Sequence, residues 1–325
     1  MKGKILASLL AIALISGCAG ISIPGVPGLT PGTPIVGGKG LEITTFTAEP
    51  SALYSNATVR IIMEVENQGG TTVPNTTSTF AYLTGSNIKL SGGESDTMYW
   101  RGVADVDKSD CKYFPRNMTP ADVVKGTTGS KANFRWNLIA PTLSAGQVRS
   151  DSFIGRVYTI YSTGVNGNIW AYKETEADAA RAAGRALSKS SFTSTSGPVA
   201  VEVSSSPDPI IVYGSDRSFS LNIKISNLAS GTIFNPDKSP AVSCTNLGLN
   251  IDDLNKVSVS ITAPDFSGIG TCTGQQELVA GRPTTLICDV SITNDFSTFK
   301  SFPISINVKY GYYTERTASV TVQGK

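Results

Sequence analysis

The chain contains no histidine. Imidazole is the side chain whose charge changes near neutral pH. Its absence removes Ser-His-Asp and Cys-His nucleophile systems, histidine acid–base chemistry, and zinc sites that need a ring nitrogen. Charge is scarce as well: 16% of residues are Asp, Glu, Lys or Arg, and the net charge is +2. So balanced a chain has no basic face for nucleic acid and no acidic tail. No glycine-rich phosphate loop follows a strand pattern. S-x-x-K occurs twice, ending at Lys89 and Lys300, but without the partner motifs such a nucleophile needs. Nothing marks one carboxylate pair among 25 acids for glycoside hydrolysis. The expectation is a protein that is not an enzyme and holds no organic cofactor.

At the N-terminus, Lys2 and Lys4 precede an apolar run over residues 5–15, which is too short to cross a bilayer core of about 30 Å. The run ends in Ile15-Ser16-Gly17-Cys18, small residues before a cysteine that resemble a lipobox. Residues 1–17 are then a signal peptide, and lipid on Cys18 anchors the protein to the outer face of the cell membrane or cell surface. The alternative is a plain signal peptide cut near Ala19. Five cysteines are an awkward number for an exported chain, and lipidation removes the odd one. Residues 18–40 carry Pro24, Pro27, Pro31 and Pro34 among glycines, which reads as a linker with a reach on the order of 60–70 Å when extended.

From Leu41 onward the pattern is that of an all-β protein. Val59, Ile61, Met63 and Val65 alternate with polar residues, as do Phe134, Trp136 and Leu138. Two strands are expected over residues 153–161 and 167–172. Later runs start at Phe219, Val257 and Phe302, and Ala318, Val320 and Val322 close the chain. The two halves repeat each other. EPSALYSNATVRIIMEVENQGG (49–70) and DPIIVYGSDRSFSLNIKISNLASG (208–231) share an acid–proline pair, a tyrosine (Tyr54, Tyr213), an alternating strand, and an asparagine (Asn67, Asn227) entering a glycine turn. Tyr161 and Thr163 correspond to Tyr312 and Thr314. Two β-sandwich domains are therefore expected at residues 41–172 and 199–325, joined by a helix and connector over 173–198. Alanines and acid-early, base-late charges over residues 172–189 favour that helix. A second, short helix is expected after the Thr119 N-cap.

The stretch TFTAEPSALYSNATVRIIMEVENQGG resembles the opening of CARDB-type and related Ig-like domains of archaeal and bacterial surface proteins, and FRWNLIAPTLSAGQ is similar to later strands of archaeal members. The resemblance implies two tandem Ig-like sandwiches serving as a spacer, an adhesion module or an envelope subunit. Implied partners are the membrane, through the anchor, and other envelope proteins or glycans. Two other functions fit the class: a ligand- or peptide-binding receptor lipoprotein, and a filament subunit that self-assembles by strand addition.

Cys111, Cys244, Cys272 and Cys288 remain for two disulfides outside the cell. Cys272 and Cys288 bracket a glycine-containing segment and are expected to pair. Cys111 and Cys244 then join the two domains, unless Cys244 pairs within its own domain and Cys111 stays free or bonds another molecule. An insertion over residues 92–130 in the first domain has no counterpart of similar length in the second. It gathers Asp105, Asp107 and Asp110, a spacing open to calcium although it lacks the glycine and terminal glutamate of an EF-hand loop. Tyr99 and Trp100 are candidates for a contact surface; alternatively the loop folds back and buries Met98, Tyr99 and Trp100. Asn56, Asn75 and Asn117 head sequons open to glycosylation.

Overall fold

The computed structural model describes residues 38–85, 87–90, 98–103, 109–121, 127–238, 249–279 and 282–325. The signal segment, Cys18, most of the linker, Asp105, Asp107 and Cys244 lie outside these.

The fold is mostly β, in several antiparallel sheets, with one α-helix among the described residues. Strand Thr58–Asn67 shows why. Its apolar side chains recur every second residue, so Val59, Ile61, Met63 and Val65 are all fully buried on one face. It lies between Leu41–Glu49 and Lys131–Ile139, with Arg101–Gly102 beyond, in a four-stranded sheet. The second half builds the same sheet from Val199–Ser206, Ser218–Asn227, Thr284–Ile292 and Phe266–Ser267. The repeat extends to side-chain bonding. Asn67 Oδ1 accepts the Gly69 N–H at 3.0 Å while its Nδ2 donates to the Thr71 carbonyl at 2.9 Å. Asn227 does the same with Ala229 at 3.3 Å and Gly231 at 2.9 Å. The acid–proline bonds Glu49–Pro50 and Asp208–Pro209 are both cis, as is Ser206–Pro207.

The large sheet departs from tandem sandwiches. Residues 153–161 and 167–172 are not two strands but parts of one, Val148–Lys173, of 26 residues. The closing runs of the chain likewise merge into Phe299–Gln323, of 25 residues. These two long strands pair antiparallel without interruption from Tyr172↔Phe299 to Val148↔Gln323. At about 3.3 Å per residue the first spans roughly 85 Å, far beyond the usual five or six residues.

One face of each long strand serves both cores. Phe153, Val157 and Tyr161 are buried in the first half and Val165, Ile169 and Ala171 in the second, all at odd positions. Phe302, Ile304 and Ile306 point into the second core, and Val320 and Val322 into the first. Each half thus receives the end of the other's long strand. Ala52–Tyr54 pairs parallel to Thr321–Gln323, and Ile210–Val212 pairs parallel to Ala171–Lys173. The described residues belong to one compact unit, Ile35–Lys325. Gly155 lets the first half close, because a Cβ there would come within 2.4 Å of Met63 and 2.6 Å of Phe46.

The crossing is fixed by a clamp that occurs twice. The Leu41 N–H donates to Tyr161 Oη at 2.6 Å, and the Leu41 carbonyl accepts from Thr314 Oγ1 at 3.3 Å. The Val199 N–H donates to Tyr310 Oη at 3.2 Å, and the Val199 carbonyl accepts from Thr163 Oγ1 at 2.9 Å. In each, the tyrosine comes from the strand's own half and the threonine from the other. Tyr161 and Tyr310 sit opposite one another in the ribbon.

The connector helix is shorter than expected, Glu174–Ala182. Gly184 ends it at φ +66°, with the Arg185 N–H donating to the Ala180 carbonyl at 2.8 Å and the Gly184 N–H to Arg181 at 3.1 Å. This is a Schellman close, for which glycine is suited because it enters the left-handed region without a Cβ penalty. Ala177 and Ala180 are its buried face. Among the described residues no helix is long and apolar enough to cross a membrane.

Candidate functional site

The insertion of the first half folds back at one point and stays open at another. Trp100 bridges to Ile88, and its backbone N–H donates to the Asn87 carbonyl at 2.8 Å. Its side chain is fully buried, edge-on to Phe153 at 5.1 Å, with Nε1 donating to Asp151 Oδ2 at 2.9 Å. Asp151 is itself buried and takes a second charge-assisted bond from Arg149 Nε at 2.8 Å. Trp100 is therefore no contact residue: its ring and its indole N–H are both used within the first half. Met98 and Tyr99 remain outside, 71% and 36% exposed, with the Lys89 ammonium 5.2 Å from the Tyr99 ring centre.

Further along, Cys111–Tyr113 extends the large sheet by pairing with Phe80–Gly85. Phe114 is buried edge-on to Phe134 at 4.9 Å, and Met118 is buried in a bridge to Val73. Thr119, the expected N-cap, bonds Ser130 Oγ through its backbone N–H and its hydroxyl. Most of the short helix predicted after it lies outside the described residues.

Of the three aspartates proposed for calcium, Asp110 alone is described. It hydrogen-bonds the Tyr82 hydroxyl; burial first, and then this carboxylate, hold the Tyr82 phenol well above its usual range. Among the described residues no group of three acidic, cysteine or histidine side chains is placed to hold a metal.

Other large electrostatic perturbations fall on buried tyrosines of the ribbon. Burial drives Tyr161 well above the ordinary phenol range, pushes Tyr310 up to about 12 and raises Tyr312. These groups stay protonated at any physiological pH. Each accepts a backbone N–H, Tyr312 that of Gly231 at 2.7 Å. Such an arrangement holds structure and offers no general base.

Cys272 and Cys288 form a disulfide across a sequence separation of 16. Cys111 is also disulfide-bonded and buried, and its partner lies outside the described residues. It packs in a small second core with Phe80, Tyr158 and Phe234, against which Leu249 and Leu254 lie. Bonded cysteines of this kind belong to an oxidising compartment.

All three sequon asparagines are exposed. Asn56 sits at φ +60°, its Oδ1 accepting from Thr142 Oγ1 at 3.0 Å. Asn75 and Asn117 are neighbours, the Asn75 N–H donating to Asn117 Oδ1 at 2.9 Å.

Three of the open grooves among the described residues flank the ribbon. One of about 360 Å³ is lined by Glu42, Glu315 and Arg316 among others, and one of about 310 Å³ includes Lys309. The third, about 570 Å³, lies on the outer face of the large sheet and is uncharged. The sequence reading did not find it; its signal is the outward Asn166 and Asn168 alternating with the inward Val165 and Ile169.

No family model matches the sequence, and no curated protein matches it. Solved structures give weak similarity to bacterial surface adhesins. The adhesin InvE of Yersinia pseudotuberculosis aligns at 10% identity over 87% of this chain and 60% of its own, with a TM-score of 0.18. The MSCRAMM ACE of Enterococcus faecalis aligns at 7% identity over 87% of this chain and 95% of its own, with a TM-score of 0.14. The chain spans 60% of the length of the InvE structure. At such scores the likeness carries no argument about fold or function.

Proposed function

We propose that this is an exported, non-enzymatic surface protein with a structural or adhesive role, held to the outer face of the membrane by lipid on Cys18. The observation that carries the reading is the exchange of long strands between the halves. It makes a single stiff body from two repeats and spends the perturbed side chains on backbone clamps. Loops on a rigid scaffold are where recognition usually resides, and Met98 and Tyr99 are among the exposed residues of the insertion. Glycans on Asn56, Asn75 and Asn117 would decorate the same half.

The reading includes a bond from Cys111 to Cys244. Cys111 packs against Phe234, Leu249 and Leu254, residues whose positions bracket 244 in the sequence. That bond would join the halves covalently on the outer face of the sheet. Mass spectrometry of the mature N-terminal peptide tests the anchor: a lipid-modified Cys18 and detergent partitioning lost in Cys18→Ser are expected. A mature N-terminus beyond Cys18 would remove it.

A further inference from the structure

The uncharged groove is built by four strands lying side by side. The register sets Thr193, Asn166, Ser305 and Thr262 in one row across the sheet, and Ser191, Asn168 and Pro303 in the next. All of these point outward, because the alternate positions Val165, Ile169, Ile304 and Ile306 fill the core. The groove is lined by amides, hydroxyls, prolines, Ile304 and backbone, with no ionisable side chain. The side chains of Asn166, Asn168, Ser191, Thr193, Thr262 and Ser305 make no hydrogen bond to any described residue, and all six are exposed.

An aromatic cluster follows further along the same strand. Trp170 is the next outward residue after Asn168, about 7 Å along the strand. Its half-buried ring is stacked against Tyr172 at 6.4 Å and tilted against Phe299 at 6.2 Å, and Phe299 is 51% exposed. Its indole N–H has no partner among the described residues and is not buried.

These groups match one ligand chemistry. A sugar ring presents hydroxyls that both donate and accept, as amides and hydroxyls do, and an apolar C–H face that an indole covers. The volume suits a ligand of a few rings. An anionic ligand would find no cation in the lining, whereas the two other grooves carry Arg316 and Lys309. We infer that this groove binds a neutral oligosaccharide, one ring stacking on Trp170 and the next hydrogen-bonding Asn166, Asn168 and Ser305. The inference stands apart from the anchoring, since binding is measured on the purified chain.

The three tryptophans give three indole signals, and Trp100 and Trp136 are fully buried. The isotope-labelled protein is titrated with maltotetraose, chitotetraose, mannotetraose and galactotetraose. The expected result is a saturable shift of the Trp170 signal with at least one of them. Affinity should fall about tenfold or more in Trp170→Ala and in the double variant Asn166→Ala/Asn168→Ala. The double variant alters exposed side chains only, so it decides the matter if Trp170→Ala fails to fold. No shift with any of the four at about 10 mM, unchanged affinity in the double variant, or a response only to a charged hyaluronan tetrasaccharide would overturn the inference.

Discussion

At the scale of single residues, the hydroxyls of Tyr161 and Tyr310 each accept a backbone N–H that has no other partner at the start of a sheet. Tyr161→Phe and Tyr310→Phe keep the ring and strand that donor, so each should lower stability by about 1–2 kcal/mol in denaturant unfolding. The same phenols set an alkaline limit. Burial raises them in the folded state above the unfolded value of about 10. Their contribution is therefore complete below pH 10 and is lost as pH rises toward about 12, where Tyr310 ionises. Stability should fall steeply across that window, and less steeply in Tyr310→Phe; a flat profile there would contradict the clamp. The sequence repeat paired Tyr161 with Tyr312, and Thr163 with Thr314. The threonines do share a role, but the part of Tyr161 is taken by Tyr310, two residues earlier. Periodicity places a tyrosine on the inner face; it cannot say which backbone amide lies above it. Trp100 reads in the sequence both as a contact candidate and as a buried residue; the structure buries it, and the sequence could not choose because its partner Asp151 is 51 residues away.

Among the elements, alternation located the short strands well, since Val59 to Val65 and Phe134 to Leu138 each bury a single face. It failed at the long ones because the apolar alternation expected over 153–161 and 167–172 is interrupted between them by Ser162, Thr163 and Gly164. Thr163 is polar yet buried, engaged with the Val199 carbonyl and Tyr310, so the strand continues through it. The connector helix was legible in its alanines and charges, but its end was not, as Gly184 lies inside the predicted span. Gly184→Ala forces a side chain into the left-handed region and should cost about 1 kcal/mol in thermal denaturation. Replacing both Cys272 and Cys288 by Ala opens a loop with a separation of 16 residues. The loss should be about 3 kcal/mol by the chain-entropy argument, and wild-type stability after the replacement would show that the bridge does little.

For the molecule as a whole, the repeat told of duplication but not of exchange, because two similarly built half-cores are served by the same alternating pattern whichever strand end fills them. What selects exchange is continuity: each long strand carries buried side chains of one face into both halves and pairs with the other without a break. The consequence is that residues near the C-terminus complete the first half. In the ribbon, Ser150 faces Thr321, with their hydroxyls 3.2 Å apart. The measurement that tests this most directly is oxidative cross-linking of the double variant Ser150→Cys/Thr321→Cys. The predicted result is an intramolecular disulfide between positions 150 and 321, recovered by non-reducing peptide mapping at high yield in the folded protein and absent after denaturation before oxidation. Two free thiols in the folded protein, or bonding only between molecules, would contradict the exchanged ribbon.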